Sequence, residues 1–120
     1  MDQREFERIV DDALAGLPPA FAARLDNVAV VVRDEPTDED LREAELPPGS
    51  ELFGLYVGVP LTDRADYHMV LPDRILIFQG AHERHFDDDE LLEQIQKTVV
   101  HEVAHYFGID DDRLHELGYA

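Results

Sequence analysis

Two histidines and a glutamate in the last quarter of the chain have the types and the spacing of a metal-dependent hydrolytic site. The segment His101–Asp111 reads HEVAHYFGIDD, which follows the pattern H-E-x-x-H-x-x-G-x-x-D. On an α-helix, residues four apart lie on one face, so His101 and His105 can direct ring nitrogens at a single ion. Neutral imidazole is a ligand that zinc readily accepts. The spacing therefore predicts a zinc ion held by these two histidines.

The other polar residues of the motif suit the chemistry around such an ion. Glu102 lies about 100° further round the helix than His101, which places it beside the metal as a base for a metal-bound water. Gly108 can adopt the left-handed conformation that ends a helix. The chain can then reverse and return the carboxylate of Asp111 to the same ion. Three nitrogen or oxygen ligands with one position open to water is the pattern of a catalytic zinc site.

The helix that must carry these residues is visible in the apolar pattern. At about 100° per residue, the apolar residues fall on one arc, and His101 and His105 fall nearly opposite to it. Asp87 followed by Glu90 indicates a capping box at the helix start, which we favour over a calcium loop. One face is thus predicted to enter the core and the other to line a polar cleft. The apolar arc comprises Leu91, Leu92, Ile95, Val99, Val100, Val103 and Phe107.

A resemblance to a known family is carried by HEVAHYFGIDDDRLHELGY and by the upstream stretch LPDRILIFQG. These segments resemble the bacterial minimal zincins, also described as zincin-like metallopeptidases, over about Phe6–Tyr119. The resemblance implies that His101, His105 and Asp111 are zinc ligands and that Glu102 is the catalytic carboxylate. It also implies a compact α/β (α+β) domain, in which a small mixed β-sheet packs against the active-site helix.

The motif is also similar to that of the metzincins, with one departure. Metzincins place a methionine turn beneath the metal, whereas both methionines of this chain, Met1 and Met69, precede the motif. Leu117 and Tyr119 are our candidates for the floor of the site in its place.

The reaction predicted from these residues is hydrolysis of a peptide bond. Glu102 takes a proton from the zinc-bound water, and the resulting hydroxide attacks a carbonyl that the ion polarises. Glu102 then passes the proton to the leaving amine. The expected substrate is a peptide or protein, bound in extended form along an exposed strand, for which Tyr67–Leu71 is our candidate.

Two alternatives stay open on the sequence alone. The first is a zinc-binding interaction or regulatory module without proteolytic activity, because a short chain leaves little room for substrate subsites. The second is a metal-dependent ribonuclease, because a bacterial rRNA-processing endonuclease family has a similar histidine helix followed by G-x-D-H. Asp111 replaces the last histidine of that pattern, and Glu102 stands where that family lacks an acid.

Length and composition limit the class of protein and its partners. A chain of 120 residues predicts a single domain over 1–120. With 28 acidic against 10 basic residues the net charge is −18, so we expect neither nucleic acid nor a membrane as partner. The lack of cysteine and of an N-terminal apolar stretch with a cleavage site predicts a cytoplasmic protein. The sequence carries no signal of an oligomeric state.

The elements around the motif helix follow from hydrophobic patterning. An acidic stretch over 34–50, punctuated by proline, is predicted to be a surface loop with a helical turn over Asp38–Ala44. His82 and His85 precede the motif helix, and we predict solvated histidines in a loop there rather than a second metal site. The remaining predicted elements are helices over Gln3–Ala15 and Asp112–Leu117 and strands over Val28–Val32, Leu52–Val59 and Ile75–Gln79.

Overall fold

The structure, a computed structural model, describes residues 1–58, 72–109 and 111–116, with the side chain of Asp111 outside that description. Short 3-10 turns occupy Ala23–Leu25 and Asp88–Glu90. The strands are β1 (Val28–Arg33), β2 (Gly54–Val57) and β3 (Asp73–Phe78). The helices are α1 (Gln3–Ala15), α2 (Pro19–Ala22), α3 (Asp38–Glu43), α4 (Gln79–His85), α5 (Leu91–Phe107) and α6 (Asp111–Glu116).

The strands form one three-stranded sheet in the order β1-β3-β2 within the described residues. β1 pairs with β3 in parallel, so that Val30 lies opposite Ile75. β2 pairs with β3 in the antiparallel sense, so that Leu55 lies opposite Leu76. The sheet is therefore mixed and the fold is α+β, as the sequence predicted.

The last four residues of the central strand β3, Ile75–Phe78, are all apolar because both faces of the strand are covered there. Side chains alternate between the faces of a strand, so Ile75 and Ile77 enter the main core beside α1 and α5. Leu76 and Phe78 enter a second, smaller apolar cluster on the opposite face, which includes Leu55 of β2. This two-sided burial explains why the segment lacks the alternation of a half-exposed strand.

Helix α5 packs on the main core through one continuous face. Ile95, Val99 and Val103 are fully buried there, and α1 adds Phe6 and Val10 from the other side. Burial of a side chain of this size contributes about 1.5–3 kcal/mol relative to exposure. The core therefore holds α5 firmly while leaving its opposite face available for chemistry.

Most predicted elements are confirmed, with shifts at their ends. The helix over Gln3–Ala15 has the predicted bounds, and the predicted strand over Val28–Val32 extends by one residue to Arg33. The strand predicted over Ile75–Gln79 begins earlier, at Asp73, and ends at Phe78 because Gln79 opens α4. The other predicted elements are also present, as Asp38–Glu43, Gly54–Val57 and Asp111–Glu116.

Some predictions fall on residues outside the described part of the chain. These are the exposed strand over Tyr67–Leu71, the methionine Met69, and the proposed floor residues Leu117 and Tyr119. In the described part of the chain, none of the helices has the length and apolar character needed to cross a membrane.

Candidate active site

The ends of α5 are built as the motif predicted. Asp87 and Glu90 form a reciprocal capping box, in which the Asp87 N–H donates to Glu90 Oε1 over 3.1 Å. At the other end Gly108 has φ of 72°, a left-handed conformation, and the Ile109 N–H donates to the Ala104 carbonyl over 2.8 Å. Glycine adopts this conformation without the steric cost that a Cβ imposes. The helix therefore stops where the chain has to turn back.

An acidic cluster at the start of α5 belongs to this cap. Carboxylate oxygens of Asp87, Asp89 and Glu90 lie within 4.8 Å of one another, and all three residues are exposed. The capping box and the partial positive charge of the helix start account for their grouping. The predicted capping box is therefore confirmed, and we assign no metal to this cluster.

His101 and His105 lie on one face of α5, as their spacing predicted, and both are exposed. Together with Glu102 they line one depression of about 330 Å³, which Ile109 and Leu114 close on the side of α6. Among the described residues, neither imidazole makes a hydrogen bond or an ion pair. Their ring nitrogens are therefore available to a ligand that approaches through this depression.

Glu102 lies between this depression and strand β2. The Tyr56 N–H donates a hydrogen bond of 3.1 Å to Glu102 Oε1. Burial raises the pKa of the Glu102 carboxyl, while the Tyr56 N–H and the charge of His105 act in the opposite direction. A carboxyl with a raised pKa exchanges protons more readily near neutral pH, which suits general acid and base chemistry. Sequence reasoning gave the role of Glu102 but not its partner, which is 46 positions away.

Strand β2 reaches this close to α5 because of Gly54. A Cβ at that position would lie 2.6 Å from Thr98 Cγ2 and 3.3 Å from Glu102 Cγ. Any side chain there would push β2 away from the helix and disturb the hydrogen bond to Glu102. Gly54 therefore sets the spacing between the strand and the face of α5 that carries Glu102.

Aromatic rings frame the site beside His105. The rings of Tyr56 and Tyr106 stack with their centroids 4.0 Å apart and their planes 17° from parallel. The Tyr56 hydroxyl lies 2.9 Å from Asp73 Oδ2 and donates to it. Phe107 is 43% exposed and lies under the guanidinium of Arg24, at 4.9 Å.

The apolar arc predicted for α5 is wrong at Leu92 and Phe107 and right at its other members. Leu92 is 42% exposed and Phe107 is 43% exposed, although both were placed on the core face. The buried set runs from Leu91, the first residue of the helix, to Ala104, so it ends about one turn before Phe107. Phe107 lies in the last turn, where Arg24 and the aromatic residues beside it are its neighbours.

The structure places Asp111 at the first residue of α6, directly after the reversal at Gly108. Its side chain lies outside the described part of the structure. The third zinc ligand therefore stays a prediction. The left-handed conformation of Gly108, on which that prediction depends, is present.

The segment AHERHF differs from its prediction. It is helical, and His82 in α4 is fully buried rather than solvated in a loop. Its Nδ1 donates to the Phe78 carbonyl over 2.8 Å, and its Nε2 lies 2.8 Å from Thr98 Oγ1. Burial lowers the pKa of His82, an effect that the bond to Phe78 partly offsets. The prediction fails because α4 starts where the buried strand β3 ends, which carries its first turn into the interior.

His85 lies one turn from the buried position and matches its prediction of an exposed histidine. Its Nε2 lies 2.8 Å from Glu51 Oε2, and Arg84 holds the same carboxylate. Both ring nitrogens of His82 and one of His85 are thus engaged by the protein itself. Among the described residues of AHERHF, no three histidine or carboxylate side chains lie close enough together to share one ion.

The fold and the site define a small α+β protein of the zincin class, in which an H-E-x-x-H helix faces a short mixed sheet. The sequence profile of the zincin-like metallopeptidase family matches residues 25–119, and the chain belongs to that family. No curated protein matches the chain. A solved structure of a conserved hypothetical protein from Thermus thermophilus is similar at 17% identity, with a TM-score of 0.56. The similarity covers 89% of this chain and 94% of that one, and it supports the fold alone.

Proposed function

We propose that this chain is a zinc-dependent peptidase, in which His101, His105 and Asp111 hold the metal and Glu102 exchanges protons with water. The observation that carries the proposal is the pair of exposed imidazoles without protein partners among the described residues, on either side of a half-buried carboxylate. Family membership supports the same activity.

The residues present fit a zinc ion. Two imidazoles on one helix face and a carboxylate after the helix reversal supply the nitrogen and oxygen donors that catalytic zinc sites use. When bound, zinc acts as a Lewis acid that acidifies water and polarises a carbonyl oxygen. Glu102 has to take a proton from water and give it to an amine. Its raised pKa brings its proton affinity closer to the affinities of those two groups.

The two carboxylate oxygens of Glu102 have different surroundings, and we propose a different role for each. Oε1 accepts from the Tyr56 N–H, which fixes the orientation of the carboxylate. Oε2 makes no hydrogen bond with a described residue and is the oxygen that takes a proton from the attacking water. Glu102 then delivers this proton to the amine of the departing peptide, so that the carboxylate is regenerated.

A peptide is the substrate that this arrangement suits. Strand β2 passes directly beside Glu102, and extended backbone next to a hydrolytic centre can pair with the backbone of a peptide. The net charge of −18 argues against a nucleic acid substrate, and with the family match it counts against the ribonuclease alternative. The prediction that Tyr67–Leu71 also contributes an exposed strand still stands.

The test is cleavage of a mixed peptide library by wild type, Glu102→Gln and the control Glu93→Gln, with zinc content measured in all three. Glu93 is exposed on the same helix, and its one ion pair with a described residue is to Lys97, at 3.9 Å. Glu102→Gln should lower kcat/KM by roughly 10²–10⁴-fold, the usual contribution of a positioned acid or base, and should keep its zinc. Glu93→Gln should resemble wild type.

Two results would count against the proposal. Hydrolysis by Glu102→Gln at the wild-type rate would show that another group moves the proton. Zinc bound to wild type without cleavage of any peptide would instead favour the non-proteolytic interaction or regulatory module.

A further inference from the structure

A groove of about 410 Å³ opens beside Glu102 and His105, and these are the two residues that it shares with the depression near α6. Its floor is aliphatic: Leu46 and Leu52 are half-buried and Leu55 is buried. Such a floor gains free energy when it covers methylene groups of a bound chain. The groove is therefore a place for a substrate side chain next to the proposed reacting centre.

The mouth of this groove carries two negative charges. Glu43 and Glu45 line it while their side chains are exposed, and neither forms an ion pair with a described residue. Glu35 and Glu51, by contrast, both bind Arg84, at 2.6 Å and 2.5 Å, so one positive charge partly offsets their two negative charges. The charge at the mouth is thus distinct from the general acidity of the chain.

Glu45 occupies a backbone position at which glycine is the usual residue. Its φ is 60°, and it follows α3 as the left-handed residue of a Schellman turn. The Glu45 N–H donates to the Arg42 carbonyl over 3.0 Å, and the Leu46 N–H donates to the Leu41 carbonyl over 2.8 Å. The turn directs the chain so that Glu43, Glu45 and Leu46 all line the groove.

We propose that this groove binds a cationic side chain of the peptide, with its aliphatic stem on the leucine floor and its charge at Glu43 and Glu45. Lysine combines a four-carbon stem with a terminal charge, and such side chains bury the stem while the charge stays near water. The inference extends the proposed function, because it names the class of peptide that the same site accepts. Its binding step does not depend on cleavage.

The test compares the binding of peptides that differ only in one charge. Fluorescein-labelled peptides carry lysine, its uncharged analogue norleucine, or glutamate at each position in turn, and Kd is measured with zinc-loaded Glu102→Gln. At one position lysine should bind roughly three- to tenfold more tightly than norleucine, as expected for two partly exposed ion pairs. Equal affinity for lysine and norleucine at every position would overturn the inference.

A matched pair of double variants separates the groove from the overall charge. Glu43→Gln with Glu45→Gln should abolish the preference for lysine, whereas Glu5→Gln with Glu7→Gln on α1 should retain it. Both pairs remove the same charge, and α1 contributes no residue to the groove. Equal loss in the two double variants would assign the preference to net charge and overturn the proposal.

A further variant, Glu45→Gly, tests whether a lost preference could come from misfolding. Glycine removes the carboxylate and is favoured in the left-handed conformation, so this variant should lose part of the preference without a lower Tm. A Glu45→Gly protein with the full preference would remove Glu45 from the binding site. Absence of hydrolysis by wild type would contradict the proposed function but not the binding preference, so the two failures are distinguishable.

Discussion

The chain has two pairs of histidines, and within each pair the two residues are about one helical turn apart. The fold nevertheless gives the two pairs opposite surroundings. In α4, His82 is fully buried with both ring nitrogens bound to Phe78 and Thr98, and His85 is bound to Glu51. In α5, His101 and His105 are exposed and make no hydrogen bond with a described residue. The first pair holds the structure together, and the second pair has ring nitrogens to offer to a ligand.

The difference supports the assignment of His101 and His105, rather than His82 and His85, as the proposed zinc ligands. Residue type and local density are the same in AHERHF and HEVAH. The availability of the nitrogens separates the two pairs, since a metal needs a lone pair that no protein donor already occupies. The spacing of four also places the rings of His101 and His105 on one face of α5, where both can reach one ion. His82 and His85 are three residues apart in α4, and their ring nitrogens are largely engaged by the protein.

The largest effect that tests this contrast is loss of a ligand. His105→Ala should weaken zinc binding by at least about 100-fold, more than is usual when only a supporting contact is lost, whereas His85→Ala should leave it unchanged. Competition with a chromogenic chelator measures both affinities. Equal effects of the two substitutions would contradict the assignment of separate roles.

The next largest effect concerns the buried histidine, His82, whose replacement should lower stability but leave zinc binding intact. His82→Ala should lower the free energy of unfolding by about 2–4 kcal/mol, because it opens a cavity and removes the hydrogen bonds of the ring to the Phe78 carbonyl and the Thr98 hydroxyl. Urea denaturation of the metal-free protein gives this value. One zinc per chain should still bind to the folded variant. If His82→Ala lost zinc binding and kept its stability, His82 would be a metal ligand rather than a structural residue, and the contrast would be contradicted.

The smallest effect concerns pH. Burial lowers the pKa of His82, so the folded protein takes up its proton less readily than the unfolded chain does. Its contribution to stability is therefore full above the unfolded pKa of about 6.5 and is lost as the pH falls toward the lower folded pKa. Between pH 7 and pH 5, metal-free wild type should lose more stability than His82→Gln, which cannot titrate there. Parallel curves for the two proteins would contradict this sign.

The part of the site that follows local rules could be predicted from the sequence. A helix with four-residue spacing fixes the shared face of His101 and His105, and Gly108 takes the left-handed turn that such a helix end requires. The capping box of Asp87 and Glu90 likewise depends on neighbours three positions apart. Hydrophobic patterning also gave the strands of the sheet to within a few residues.

The remaining features depend on contacts between distant segments. Nothing near Glu102 indicates that the Tyr56 N–H holds its carboxylate, and nothing near His82 indicates its burial. The groove was missed because the turn after α3 forms one of its walls, and Glu45 adopts a left-handed conformation that usually signals glycine. Such features follow from the way β2, α3 and α4 pack around α5.

The most direct test of the central claim is the zinc content and X-ray absorption fine structure of protein purified without added metal. We expect one zinc per chain, with a first coordination shell of two imidazole nitrogens and additional oxygen ligands. The spectrum of His105→Ala should indicate one imidazole ligand fewer than that of wild type, whereas the spectrum of His85→Ala should match wild type. Protein without metal, or zinc without imidazole in its first shell, would contradict the account.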